Sequence, residues 1–223
     1  MAVVVHGGYW RARYDRSIMT ELCLDLANRG VAAWNLEYRR VGSGGGWPET
    51  FEDVAAGVDA LADVGASLDL ERVAAVGHSA GGHLAFWAAA RPTLPEGAPG
   101  AQPRVRIGAA VAQAGVLDLQ LAAQLVPSAE PTRALLGGHD EHADRYELAS
   151  PKERLPLGIP QLVLHGDRDD IVSIRIATSY AGAARDAGDA CELAILGGTG
   201  HFEHIDASSP AWHLARDWLL GHA

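Results

Sequence analysis

Six short apolar runs, five of them followed by a segment with helical spacing, leave few architectures open to this chain. The first run, residues 2–5, is continuous (Ala-Val-Val-Val) and ends at His6-Gly7-Gly8. Continuous β-branched runs bounded by glycine read as strands buried on both faces. Ile18, Leu22 and Leu26 then recur four apart within 17–28, and Gly30 stands where such a helix would stop. The same patterning predicts strands over 31–36, 72–76, 105–112, 161–165 and 191–196. It predicts helices along Phe51, Val54, Val58 and Leu61, and over 80–91, 173–187 and 210–220. Strand alternating with helix implies an α/β fold: a mostly parallel sheet with helices on both faces and right-handed crossovers. Residues 41–48 and 92–103 are rich in breakers and are expected as loops. Residues 115–160 carry no clean period and are expected as short helices and loops over one end of the sheet, forming a short lid or cap. With no internal repeat or low-complexity tail, the 223 residues are expected as one domain.

In such sheets ligands bind beyond the carboxyl ends of the strands, so the residues just after each predicted strand matter most. After the third comes Gly77-His78-Ser79-Ala80-Gly81, immediately before a helix. A strand-to-helix turn lifts a serine oxygen above the sheet, and glycines on either side let the two elements close around it. After the fifth comes His165-Gly166-Asp167-Arg168-Asp169-Asp170. Asp169 is the expected acid, because a residue one turn past the strand end can reach back over the sheet edge. Asp167 is expected to bond backbone N–H groups within the turn, and Asp170 to begin the next segment. After the sixth comes Gly197-Gly198-Thr199-Gly200-His201-Phe202. His201 is the expected base, with His204 its nearest rival. Any of these alone could be idle. Together, Ser79, Asp169 and His201 fall at the same end of the sheet, in the chain order serine, acid, histidine that separates one triad-bearing fold from the other common ones.

A fourth segment, His6-Gly7-Gly8-Tyr9-Trp10, follows the first strand. Acyl transfer builds negative charge on a carbonyl oxygen, which preorganised amides stabilise. The expected oxyanion donors are the N–H groups of Gly8, Tyr9 and Ala80. His6 is expected to brace the loop, and Tyr9 and Trp10 to line the substrate pocket.

These segments resemble a known family. His6-Gly7-Gly8-Tyr9-Trp10 looks like the H-G-G-x-W motif of the kynurenine formamidase (arylformamidase) branch of α/β-hydrolases, close to the hormone-sensitive-lipase-like esterases. The run G-H-S-A-G-G-H-L-A from Gly77, the acid turn from His165 and the Gly200-His201-Phe202 turn are similar to the same group. The resemblance implies the α/β-hydrolase fold and a serine hydrolase that cleaves a small ester or amide through an acyl-enzyme, with no cofactor or metal. It also supports Asp169, three residues after the glycine, as the acid. Family members normally carry two strands before the one bearing the oxyanion loop. Those strands are expected to be missing here, leaving 31–36 at an exposed edge that invites contact with a second copy of the chain. A carboxylesterase shares every feature except the H-G-G-x-W motif. A serine peptidase usually needs an added domain, and a silent binding protein usually loses a triad member.

Charge narrows the partners. The formal net charge is −10, which argues against nucleic acid and anionic membranes, because phosphate binding needs clustered Lys and Arg. No apolar run approaches the roughly 20 residues of a membrane span, and no signal peptide is visible. Cys23 and Cys191 are expected as free thiols in a reducing compartment, the cytoplasm.

Overall fold

The first apolar run behaves as its composition dictates. In the computed structural model, which describes residues 1–64 and 68–223, β1 (Ala2–Val5) is wholly buried. It lies inside a six-stranded parallel sheet with β2 (Ala33–Leu36), β3 (Ala74–His78), β4 (Ala109–Gln113), β5 (Gln161–Gly166) and β6 (Cys191–Leu196), in the order β2-β1-β3-β4-β5-β6. Successive side chains point to opposite faces. Val3, Val5, Ala75, Ala110, Ala112 and Val163 therefore join one core with α2 (Glu49–Asp59), α3 (Ala80–Ala90) and α7 (Ile174–Asp186). Ala2, Val4, Ala74, Val76, Val111 and Leu164 join another with α1 (Thr20–Asn28) and α8 (Pro210–Leu220). The expected α/β-hydrolase fold with helices on both faces is what forms, and β2 lies at an edge.

Boundaries move where side chains or helix ends claim the backbone. The expected strand over 105–112 begins only at Ala109, because Asp59 Oδ1 takes the N–H groups of Arg104 and Val105. The expected strand over 72–76 runs on through Gly77 and His78 to the foot of Ser79. The strand over 31–36 loses its first two residues, and the Val31 N–H is spent on the Leu26 carbonyl at the end of α1.

Residues 115–160 include three short helices, α4 (Leu119–Ala122), α5 (Ala129–Leu136) and α6 (Ala143–Ala149). The last packs against α3, where His83 Nε2 donates to the Ala149 carbonyl and Trp87 Nε1 to that of Leu148. Among the described residues no helix is long and apolar enough to cross a membrane.

Candidate active site

The three expected chemical groups meet at the carboxyl ends of β3, β5 and β6. Ser79 ends the turn between β3 and α3 with φ 56° and ψ −120°. Its N–H is held by the Gln113 carbonyl at 2.8 Å, and its own carbonyl accepts the N–H of His83 in α3. The glycines explain how so tight a turn fits. A Cβ on Gly77 would collide with the backbone of Gly81 and Gly82, and one on Gly81 with the carbonyl oxygens of Val5 and His6.

His201 Nδ1 donates to Asp169 Oδ2 at 2.7 Å. Asp169 Oδ1 accepts the N–H groups of Ile171 (2.9 Å) and Val172 (2.8 Å), which fixes the carboxylate plane. Burial pushes the Asp169 carboxyl pKa up, but the bonds from His201, Val172 and Ile171 outweigh it, so the net shift is downward and the group stays ionised. The two loops can meet because a Cβ on Gly166 would strike the backbone of Thr199 and Gly200. Asp167 is spent on the Gly198 N–H at 2.7 Å, as expected of a turn carboxylate, and Asp170 is exposed.

Ser79 and His201 border one cavity of about 320 Å³, together with Gly8, Tyr9, Tyr14 and Ile171. No hydrogen bond joins the two side chains among the described residues. The loop after β1 runs through three residues with positive φ: Gly8 (112°), Tyr9 (52°) and Trp10 (55°). A Cβ on Gly7 would lie 2.7 Å from the His78 carbonyl oxygen and 3.1 Å from Ser79 Cβ, so glycine is what lets this loop rest on the serine turn. The N–H groups of Gly8, Tyr9 and Ala80 have no hydrogen-bond partner among the described residues.

The family model named BD-FAE matches residues 1–182. The chain belongs to the BD-FAE family. Its sequence matches none of the curated proteins. Among solved structures it is similar to a truncated carbohydrate esterase from gut microbiota, with 21% identity over 99% of this chain and 85% of that one, TM-score 0.83. Esterase B from Lactobacillus rhamnosis shares 18% identity over 99% and 74% of the two chains, TM-score 0.84. A propionate-bound thermophilic esterase from Thermogutta terrifontis shares 24% over 99% and 82%, TM-score 0.75. At such identities these likenesses establish the fold.

Trp10 corrects an expectation for this BD-FAE member. It does not line the cavity; it is fully buried, and its Nε1 donates to His83 Nδ1 at 3.1 Å. The tryptophan anchors the loop after β1 to α3. Tyr9 does border the cavity, with its hydroxyl donating to the Ile171 carbonyl at 2.6 Å. Residues 115–160 contribute none of the residues that border the cavity, although Glu130 of α5 pairs with Arg11 just beyond the oxyanion loop.

Several neighbours escaped the sequence reading. Tyr14, Ile18, Ile171, Phe202 and Ile205 supply the apolar wall. Ile18 was read only as part of a helical stripe, and the other four come from loops and short turns without periodic spacing, so only their hydrophobicity marked them. His78, the residue before the serine, donates from Nε2 to the His201 carbonyl at 2.9 Å and packs 4.5 Å from its ring. Burial holds the His78 pKa well below the ordinary imidazole value, so it puts no charge against His201. His165 donates to the Val172 carbonyl and stands 3.4 Å from Asp169 Oδ2. The rival His204 is buried with neither ring nitrogen bonded, and burial pushes its pKa down to about 4. Among the described residues no cluster of three or more His, Cys, Asp or Glu side chains is arranged to hold a metal.

Proposed function

We propose that the protein is a serine esterase that hydrolyses small acyl esters through an acyl-enzyme on Ser79. The observation that carries this reading is the 2.7 Å His201–Asp169 bond at a cavity shared with Ser79 and bordered by free amides. His201 Nε2 takes the Ser79 proton as Oγ attacks the ester carbonyl. Asp169 holds the imidazole in the tautomer with Nδ1 protonated and stabilises the imidazolium that forms. The developing oxyanion is met by the Gly8, Tyr9 and Ala80 N–H groups; losing one such donor costs on the order of 10²–10³ in rate. His201 then returns its proton to the departing alcohol, and a water repeats the sequence to release the acid.

The apolar wall of Tyr14, Ile18, Ile171, Phe202 and Ile205 favours an apolar acyl group over a charged one. The esterase names of the similar structures agree with this chemistry. A formamidase reading rests on the H-G-G-x-W motif. Trp10, however, serves to anchor the loop away from the cavity, so the motif speaks for a scaffold that both activities would use.

The test is hydrolysis of p-nitrophenyl acetate and butyrate beside N-formylkynurenine, with fluorophosphonate labelling of wild type and Ser79→Ala. Ester turnover and labelling that vanishes in S79A are expected. A folded wild type that neither turns over esters nor labels would overturn the proposal, and turnover of the formamide alone would transfer it to the second reading.

A further inference from the structure

We propose that Glu37 holds His6 as an imidazolium, and that this cation polarises the Gly7–Gly8 peptide and so strengthens the Gly8 N–H as an oxyanion donor. The role of Gly8 rests on the esterase reading; the charge on His6 rests on geometry alone. His6 Nδ1 lies 2.8 Å from the Gly7 carbonyl oxygen, and Nε2 lies 2.9 Å from Glu37 Oε1. Both ring nitrogens therefore face acceptors. A neutral imidazole has one N–H and would press a lone pair against one of those oxygens, whereas an imidazolium donates to both.

The surroundings fit a charged pair. Glu37 also accepts the N–H groups of Tyr38 (3.0 Å) and Arg16 (3.2 Å), and these bonds with the His6 contact outweigh burial to hold its carboxyl below the ordinary range. Tyr38 stacks on the His6 ring at 4.3 Å and 9°, presenting its π face to the cation. The other charges facing the pair are Arg40, 3.6 Å from Glu37 Oε1, and Asp15, which precedes the short turn carrying Arg16. Burial, with a smaller push from Arg40, draws the His6 pKa below the ordinary imidazole value, and the bonds to Gly7 and Glu37 only partly offset it. Geometry favours the second proton and stands against that shift: a ring with one proton leaves a lone pair facing one of the two oxygens.

The Gly7 carbonyl and the Gly8 N–H are the two ends of one amide. A charge-assisted bond to the carbonyl draws electron density from the nitrogen and sharpens its N–H. The gain is largest when the oxyanion forms, so it acts on the transition state more than on bound substrate. His6 touches no reacting atom; it is a positioning residue that acts through the peptide.

Two measurements test this. In ¹⁵N NMR of the wild type at pH 7, both His6 ring nitrogens are expected to carry protons. In Glu37→Gln the amide oxygen can stay on His6 Nε2 and the Tyr38 N–H, so the side-chain volume is kept and the charge that holds the imidazolium is lost. The variant is expected to keep its melting temperature within a few degrees and its KM within about twofold. Its kcat is expected to fall about 10–100-fold, less than the loss of a whole donor. Its affinity for a trifluoromethyl ketone, which binds as an oxyanion, should fall by the same factor. One unprotonated His6 nitrogen in the wild type, or an unchanged kcat in E37Q, overturns the proposal. A wild type inactive on all esters overturns the esterase reading instead, and the NMR result still decides the charge on His6.

Discussion

At Ser79 the backbone takes φ 56° and ψ −120°, a region where side chains are strained by about 1–3 kcal/mol. The surrounding bonds hold it there, which is how the hydroxyl comes to face the cavity and not the core. Asp169 is the other residue whose role depends on fine geometry. Asp169→Asn keeps an oxygen for the Ile171 and Val172 amides but turns an NH₂ toward His201 Nδ1. That forces the proton onto Nε2, where the base must be free. The expected result is a fall in kcat on the order of 10⁴ with KM little changed, measured by steady-state ester hydrolysis. A drop under tenfold would remove Asp169 from its assigned role. Ser79, Asp169 and His201 were legible in the sequence because each follows a strand. Trp10 was misread because a motif gives spacing and says nothing of which way a side chain turns.

The element that organises the site is α3, buried along its whole length and built from glycine, alanine and a few large residues. Its first turn lies against the end of β1, and Gly81 is the point of closest approach. A methyl group there meets backbone oxygen, which cannot swing aside. Gly81→Ala is therefore expected to cost about 3 kcal/mol or more, seen as a lowered urea midpoint, and to displace the serine turn from the loop after β1. An unshifted midpoint would show that α3 can slide. The helices over 173–187 and 210–220 were legible from apolar spacing and agree with α7 and α8. The start of β4 was not, because the Asp59 side chain that diverts the backbone at Arg104 and Val105 is 45 residues away in the chain.

Across the whole molecule, acid sensitivity follows from histidines buried without charge. Burial lowers the pKa of His83 and of His204 to about 4, against an ordinary value of 6.5. The unfolded chain thus binds more protons than the native one between those values. Stability from these groups is complete above pH 6.5, declines as pH falls and is lost by about pH 4. Each contributes on the order of 3 kcal/mol, a large share of the 5–15 kcal/mol typical of a folded domain. Urea midpoints from pH 8 to pH 4 should fall most steeply between 6.5 and 4. A flat profile would mean that these rings charge in the folded state.

The sequence alone determined the parallel sheet and the end of it at which Ser79, Asp169 and His201, the proposed catalytic groups, gather. Those depend on apolar periodicity and on glycines between strand and helix, which are local. Tertiary structure decided what long-range contact controls: the burial of Trp10 against His83, the His78 bond to the His201 carbonyl, and the Glu37–His6 pair at the end of β1. Each joins residues 31 or more positions apart, where no local pattern records which side chains will meet.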